Sequence, residues 1–124
     1  PQDPCLIKYS QEVTFNHLKN LEPDILSSNI DELNSKMDKL NFEIHLPKVI
    51  NDKYSLLGGR YCSIDRRLAA QLKLKEKGTS EIATLYVLAK FRNENFEESI
   101  RIDSTMVQIL TEKSNLFLLA SSNF

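Results

Sequence analysis

The sequence predicts an α+β fold: two N-terminal helices packed on one face of an antiparallel sheet of about five strands. Three observations lead there. The runs YSLLGGRYCSI (54–64), RLAAQLKLK (67–75) and EIATLYVLAK (81–90) follow one another with only short polar breaks, at Asp65-Arg66 and at Lys77-Gly78-Thr79-Ser80, which is the pattern of an antiparallel meander. Apolar residues ahead of the meander recur at helical rather than alternating spacing. The chain has 124 residues, 41% hydrophobic and 27% charged, which suits one globular domain with a helical part at 1–41 and a sheet part at 42–124.

The first helix is expected over 3–21. Asp3 is a suitable cap and Pro4 suits the first helical position. Leu6, Tyr9, Val13, His17 and Leu21 step at threes and fours, giving an apolar stripe that contains a histidine, with Ile7, Phe15 and Leu18 beside it. Glu22-Pro23-Asp24 should end this helix. The second helix is expected over 29–40: Ser28 and Asn29 are both suitable caps, Ile30, Leu33, Met37 and Leu40 form its stripe, and Glu32 and Lys36 pair at i, i+4.

FEIHLP (42–47) alternates and reads as a short edge strand closed by Pro47, with Val49 and Ile50 tucked under the sheet and Asn51-Asp52-Lys53 as a turn. In the first long strand Tyr54, Leu56, Cys62 and Ile64 share a parity, and Gly58-Gly59 marks a bulge or sharp coil. Leu68, Ala70, Leu72 and Leu74 are expected to face inward from the second strand, and Ala83, Leu85, Val87 and Ala89 from the third. The other face of that third strand, with Ile82, Thr84, Tyr86 and Leu88, is apolar enough to need a cover from the helices or a partner. A polar loop over 92–99 leads to a short strand at 99–103. A last hairpin over 106–121 follows, whose LFLLA run belongs in the middle of the sheet.

Composition narrows the function. A net charge of −1 provides no global field for nucleic acid or an anionic membrane. No apolar run approaches the roughly 20 residues of a membrane span. The opening Pro-Gln-Asp-Pro is no signal peptide. There is no Gly-x-Ser-x-Gly turn, P-loop or dinucleotide fingerprint, so the chain reads as non-catalytic and without a cofactor.

Cys5 and Cys62 leave several readings open: a structural disulfide, a redox pair, a metal site shared with His17 or His45, or two separate thiols with Cys62 a small core residue. No ligand pair among these four has the close spacing of known metal sites, so no metal is assigned. A bridge would require an oxidising compartment, and the chain-entropy relation credits it with roughly 4 kcal/mol. A nucleophile–base pair of Cys62 with either histidine lacks activating neighbours except Arg60. Arg60, Arg66, Arg67, Lys73, Lys75 and Lys77 form a basic stretch, read as a solvated sheet face. Tyr54, Tyr61 and Tyr86 read as packing residues rather than a stacking platform.

Over residues 28–121 the order of motifs is distinctive. A capped helix leads to an alternating segment ending in Leu46-Pro47. There follow Leu57-Gly58-Gly59-Arg60, then Ala69-Ala70-Gln71, then Thr84-Leu85-Tyr86-Val87, then a closing apolar hairpin. This order resembles the extracytoplasmic C-terminal domain of bacterial transmembrane anti-sigma factors. The sequence departs from that pattern in having no tryptophan and in placing Asp65-Arg66 where a glycine is usual.

The resemblance implies the periplasmic sensor or interaction domain of a membrane-anchored regulator. A membrane helix and a cytoplasmic sigma-binding segment would then precede Pro1. The implied partners are a protein or small signal in the periplasm and a sigma factor reached only through the preceding segment, with a homodimer also allowed. No sigma-binding or zinc-binding residue of the family maps onto this sequence. A periplasmic binding or assembly module unconnected with transcription, or a thiol-dependent enzyme, are the alternative expectations.

Overall fold

In the computed structural model, residues 3–90, 93 and 95–122 are described. Helix α1 (Pro4–Leu18) starts where Asp3 accepts a 2.8 Å hydrogen bond from the Cys5 N–H, with Pro4 at its first position. It stops before the expected residue 21, because Asn20 adopts a left-handed conformation (φ 49°) that a helix cannot continue through. A two-residue strand, β1 (Ile25–Leu26), follows. Helix α2 (Ile30–Lys36) is capped by Asn29, whose side chain accepts from the Asp31 and Glu32 N–H groups.

Residues 42–47 are not a strand. The Asn34 side chain satisfies the backbone of Ile44 on both sides, N–H and C=O each at 2.9 Å, and so takes the place of a neighbouring strand. The expected turn at 51–53 is part of a short helix, α3 (Lys48–Lys53). It buries Ile50 but leaves Val49 65% exposed, so only one of that pair is tucked in.

The remaining strands are β2 (Tyr54–Ile64), β3 (Arg67–Glu76), β4 (Ile82–Ala89), β5 (Glu97–Ile102), β6 (Thr105–Glu112) and β7 (Asn115–Ser122). The polar loop expected from Arg92 lies partly outside the described residues. All strands join one antiparallel sheet in the order β1-β2-β3-β4-β7-β6-β5. The sheet thus has seven strands rather than about five. It consists of two meanders joined by the pairing of β4 with β7, and the LFLLA run is central as expected.

The helices do not share one face. On one side, Leu33 of α2, Met37 just past its end, Ile44 and Ile50 pack on Leu56, Leu72, Leu74, Leu85, Val87 and Phe117. On the other, Leu6, Tyr9 and Val13 of α1 pack on Ile64, Tyr86, Leu88, Val107 and Leu118. The apolar second face of β4 is therefore covered by α1, and β4 and β7 are buried on both faces.

The bulge foreseen at Gly58-Gly59 has a consequence the parity count misses. The register of β2 against β3 skips between Leu56 and Gly58. The skip shifts the alternation by one residue. Tyr54 and Leu56 therefore face α2 and α3, whereas Cys62 and Ile64 face α1. One strand serves both layers.

Candidate functional site

The four residues marked in the sequence do not converge. Cys5 is exposed near the start of α1, Cys62 is partly buried on β2, and both are free thiols. His17 Nδ1 lies 2.8 Å from the Thr84 hydroxyl of β4, so the ring is held between α1 and the sheet. Burial moves its pKa down from the usual 6.5. His45 belongs to the segment between α2 and α3. Its N–H donates to Asn115 Oδ1 at 3.1 Å, and its ring lies 3.8 Å from Glu43 at the surface. No hydrogen bond joins Cys62 to either histidine, and among the described residues no three of His, Cys, Asp and Glu form a metal-holding group.

Cys62 sits in a layer that is unusually polar for a helix–sheet interface. Below α1 lie Thr14 and His17 from the helix, with Cys62, Gln71, Thr84 and Tyr86 from β2, β3 and β4. The Thr14 and Tyr86 hydroxyls are buried without a hydrogen-bond partner. Desolvation pushes the Cys62 thiol up to about 12, against a smaller opposing effect from Arg60, and raises Tyr86 as well. A thiol so placed is protonated at neutral pH and is a poor nucleophile. Tyr86, buried on both accounts, was legible in the sequence only as an apolar position in an alternating run.

The turn joining β2 to β3 is clamped by α1. Asp65 and Arg66 both have positive φ (48° and 63°), as a two-residue hairpin of this hand demands. Glu12 accepts from the Asp65 N–H at 2.8 Å, and Lys8 donates to the Asp65 carboxylate at 3.0 Å. These bonds hold a turn that a glycine would otherwise favour.

The basic stretch is dispersed. Lys73 donates to Glu22 at 3.0 Å, Arg60 to the Glu22 carbonyl at 3.2 Å and Lys77 to the Asn51 carbonyl at 3.0 Å, while Arg67 reaches the Ala89 carbonyl. The tyrosines are likewise separate. Tyr86 lies under α1, and Tyr54 and Tyr61 lie on the α2 side, where the Tyr61 hydroxyl accepts from the Lys39 N–H. A depression of about 280 Å³ opens at one end of the sheet between Tyr54, Ile82, Gln108 and Ser122, with Lys53 and Glu76 paired at 3.4 Å beside it. It contains neither cysteine nor histidine.

What the surface offers instead is apolar contact. Phe15 and Leu18, near the end of α1, are 65% and 67% exposed. No helix among the described residues is long and apolar enough to cross a membrane. Compared with known proteins, the chain matches no family model, no curated protein and no solved structure.

Proposed function

We propose that this chain is a non-catalytic sensor or interaction domain, the extracytoplasmic part of a membrane-anchored regulator of the anti-sigma type. One observation carries the reading: the motifs that bear the resemblance fall in order on consecutive parts of a single sheet and its cover. Leu46-Pro47 leads into α3, Gly58-Gly59 forms the bulge of β2, Ala69-Ala70 lies in β3, and Thr84 to Val87 in β4, followed by the β6 and β7 hairpin. Their spacing serves packing: Gly59 lies against Leu72 and Leu33, and Ala69 and Ala70 keep the sheet thin on both faces.

In this reading α1 is the transmitting element. It joins the sheet through Leu6, Tyr9 and Val13, through His17 against Thr84, and through Glu12 and Lys8 on the Asp65 turn, so a shift of α1 would be felt at β4 and at the β2–β3 turn together. A periplasmic protein or small signal acts by preferring one of two positions of α1, since only differential binding moves such an equilibrium. The reading requires a membrane anchor and a sigma-binding segment in the same protein.

The test uses the full-length gene in its source organism. Deleting it should raise transcription from promoters of one alternative sigma factor, and supplying it in excess should lower it. No change in either direction overturns the reading. It would leave a second one, a periplasmic binding or assembly module, which the exposed Phe15 and Leu18 favour.

A further inference from the structure

We infer that the outer edge of β5 is a self-pairing surface, and that two copies of this chain join there in antiparallel register about Ser99. β5 is the terminal strand of the sheet order, and no described strand takes its outer side. The opposite edge is β1, only two residues long. Edge strands are commonly blunted by shortness, proline, a bulge or charged side chains, lysine above all. β5 has six residues, EESIRI, with no proline or lysine and an unbroken register against β6, and the charges it does carry, Glu97, Glu98 and Arg101, are of both signs, so they select among partner strands.

The direction of its backbone groups follows from the ladder. Phe96 C=O accepts from the Thr111 N–H at 3.1 Å, while its N–H donates to the Thr111 hydroxyl, so these residues face each other as a hydrogen-bonded pair. Such pairs alternate along an antiparallel ladder, which turns the backbone of Glu98, Ile100 and Ile102 toward β6. The hairpin agrees: Ile102 faces Thr105 across the two residues Asp103-Ser104, and that flanking pair is hydrogen-bonded in such a turn. The backbone groups of Glu97, Ser99 and Arg101 therefore point away from the sheet, and their side chains lie exposed on one face.

A two-fold axis through Ser99 sets Ser99 against Ser99 and Glu97 against Arg101, twice. These are the residues with outward backbone groups, so each pairing is a hydrogen-bonded one. Moving the register by two residues one way sets Glu97 against Asp103, a like-charge pair. Moving it by four the same way sets Arg101 against itself, and moving it by two the other way loses both ion pairs. Within this set, the Ser99 register alone gives two complementary charge pairs and no like pair. Each face of the sheet also runs on across the axis, with Glu98 opposite Ile100 of the second copy. The inference stands on the strand geometry and is independent of the regulatory reading.

The test is sedimentation equilibrium of the 124-residue chain in low salt. The wild type should dimerise. Glu97→Arg and Arg101→Glu should each weaken the dimer about tenfold or more, since each places like charges in both pairs, and the double variant should recover to within about threefold. Circular dichroism checks that all four chains are folded. As a second measurement, Ser99→Cys in a Cys5→Ser background should give a covalent dimer on oxidation, and Glu97→Cys in that background should not. A wild type monomeric at about 1 mM (an association free energy weaker than about −4 kcal/mol) overturns the inference, as does a double variant no better than the singles.

Discussion

His17 shows how a single side chain ties stability to pH. Its imidazole is neutral in the fold because burial lowers its pKa, while in the unfolded chain it titrates near 6.5. Below that value the unfolded state binds a proton that the folded state resists, so stability is full above about pH 6.5 and falls as the pH drops toward the folded pKa. Thermal melts between pH 7.5 and 5 should therefore show a falling Tm, and His17→Gln should flatten that slope. An equal slope in both proteins would mean that other groups carry it. Cys62 makes a second case. With its pKa at about 12 against 9.0 for an ordinary thiol, its thiolate is scarcer by on the order of a thousandfold. Iodoacetamide at pH 7.5 should label exposed Cys5 promptly and Cys62 only after denaturation. A disulfide between them would leave neither to label. The sequence marked His17 correctly as a histidine on an apolar helix face, but nothing in it named Thr84 as the partner, because that contact spans 67 positions.

At the scale of the element, β2 is decided by its glycines. A Cβ on Gly58 would lie 2.3 Å from the Ile25 carbonyl oxygen and 2.9 Å from Pro23, so it meets the backbone of β1 and the rigid ring before it. On Gly59 it would meet the ends of the Leu72 and Leu33 side chains at 2.9 and 3.1 Å, which can give way. Gly58→Ala should cost about 2 kcal/mol or more and release β1, whereas Gly59→Ala should cost about 1 kcal/mol; urea unfolding of the two variants checks the order. The paired glycines were legible as a bulge. Its effect on facing was not, since counting alternate residues assumes an unbroken pleat. α2 was legible through its cap and stripe, but its early end was not: the chain leaves the helix at Met37 so that Asn34 can pair with Ile44, a bond to a segment further on. β1 gave no signal because two residues carry no periodicity, and α3 was hidden by its shortness and polar composition.

For the molecule as a whole, one sheet divides two apolar layers that share its central strands. Leu72 belongs to the layer under α2 and Leu118 to the layer under α1. Leu72→Ala and Leu118→Ala should each lower stability by about 3 kcal/mol and leave one transition, with tyrosine fluorescence and far-ultraviolet circular dichroism melting together. Two separated transitions would show that the layers unfold apart. Val49→Ala, at an exposed position, should shift stability by no more than about 0.5 kcal/mol. The class of fold was legible because alternation and turns are local. The placing of α1 opposite α2 was not, because both helices carry similar stripes and only the apolar second face of β4 hinted at a further cover. The strand order has one more consequence, for biosynthesis. β7 emerges from the ribosome after the six other strands, yet it sits between β4 and β6. Until it arrives, the nascent chain carries two half-sheets with their inner borders open, and every earlier part must wait unsealed for the final strand. A chaperone that shields strand borders would act in that interval, and its work would end when residues 115–122 close the gap.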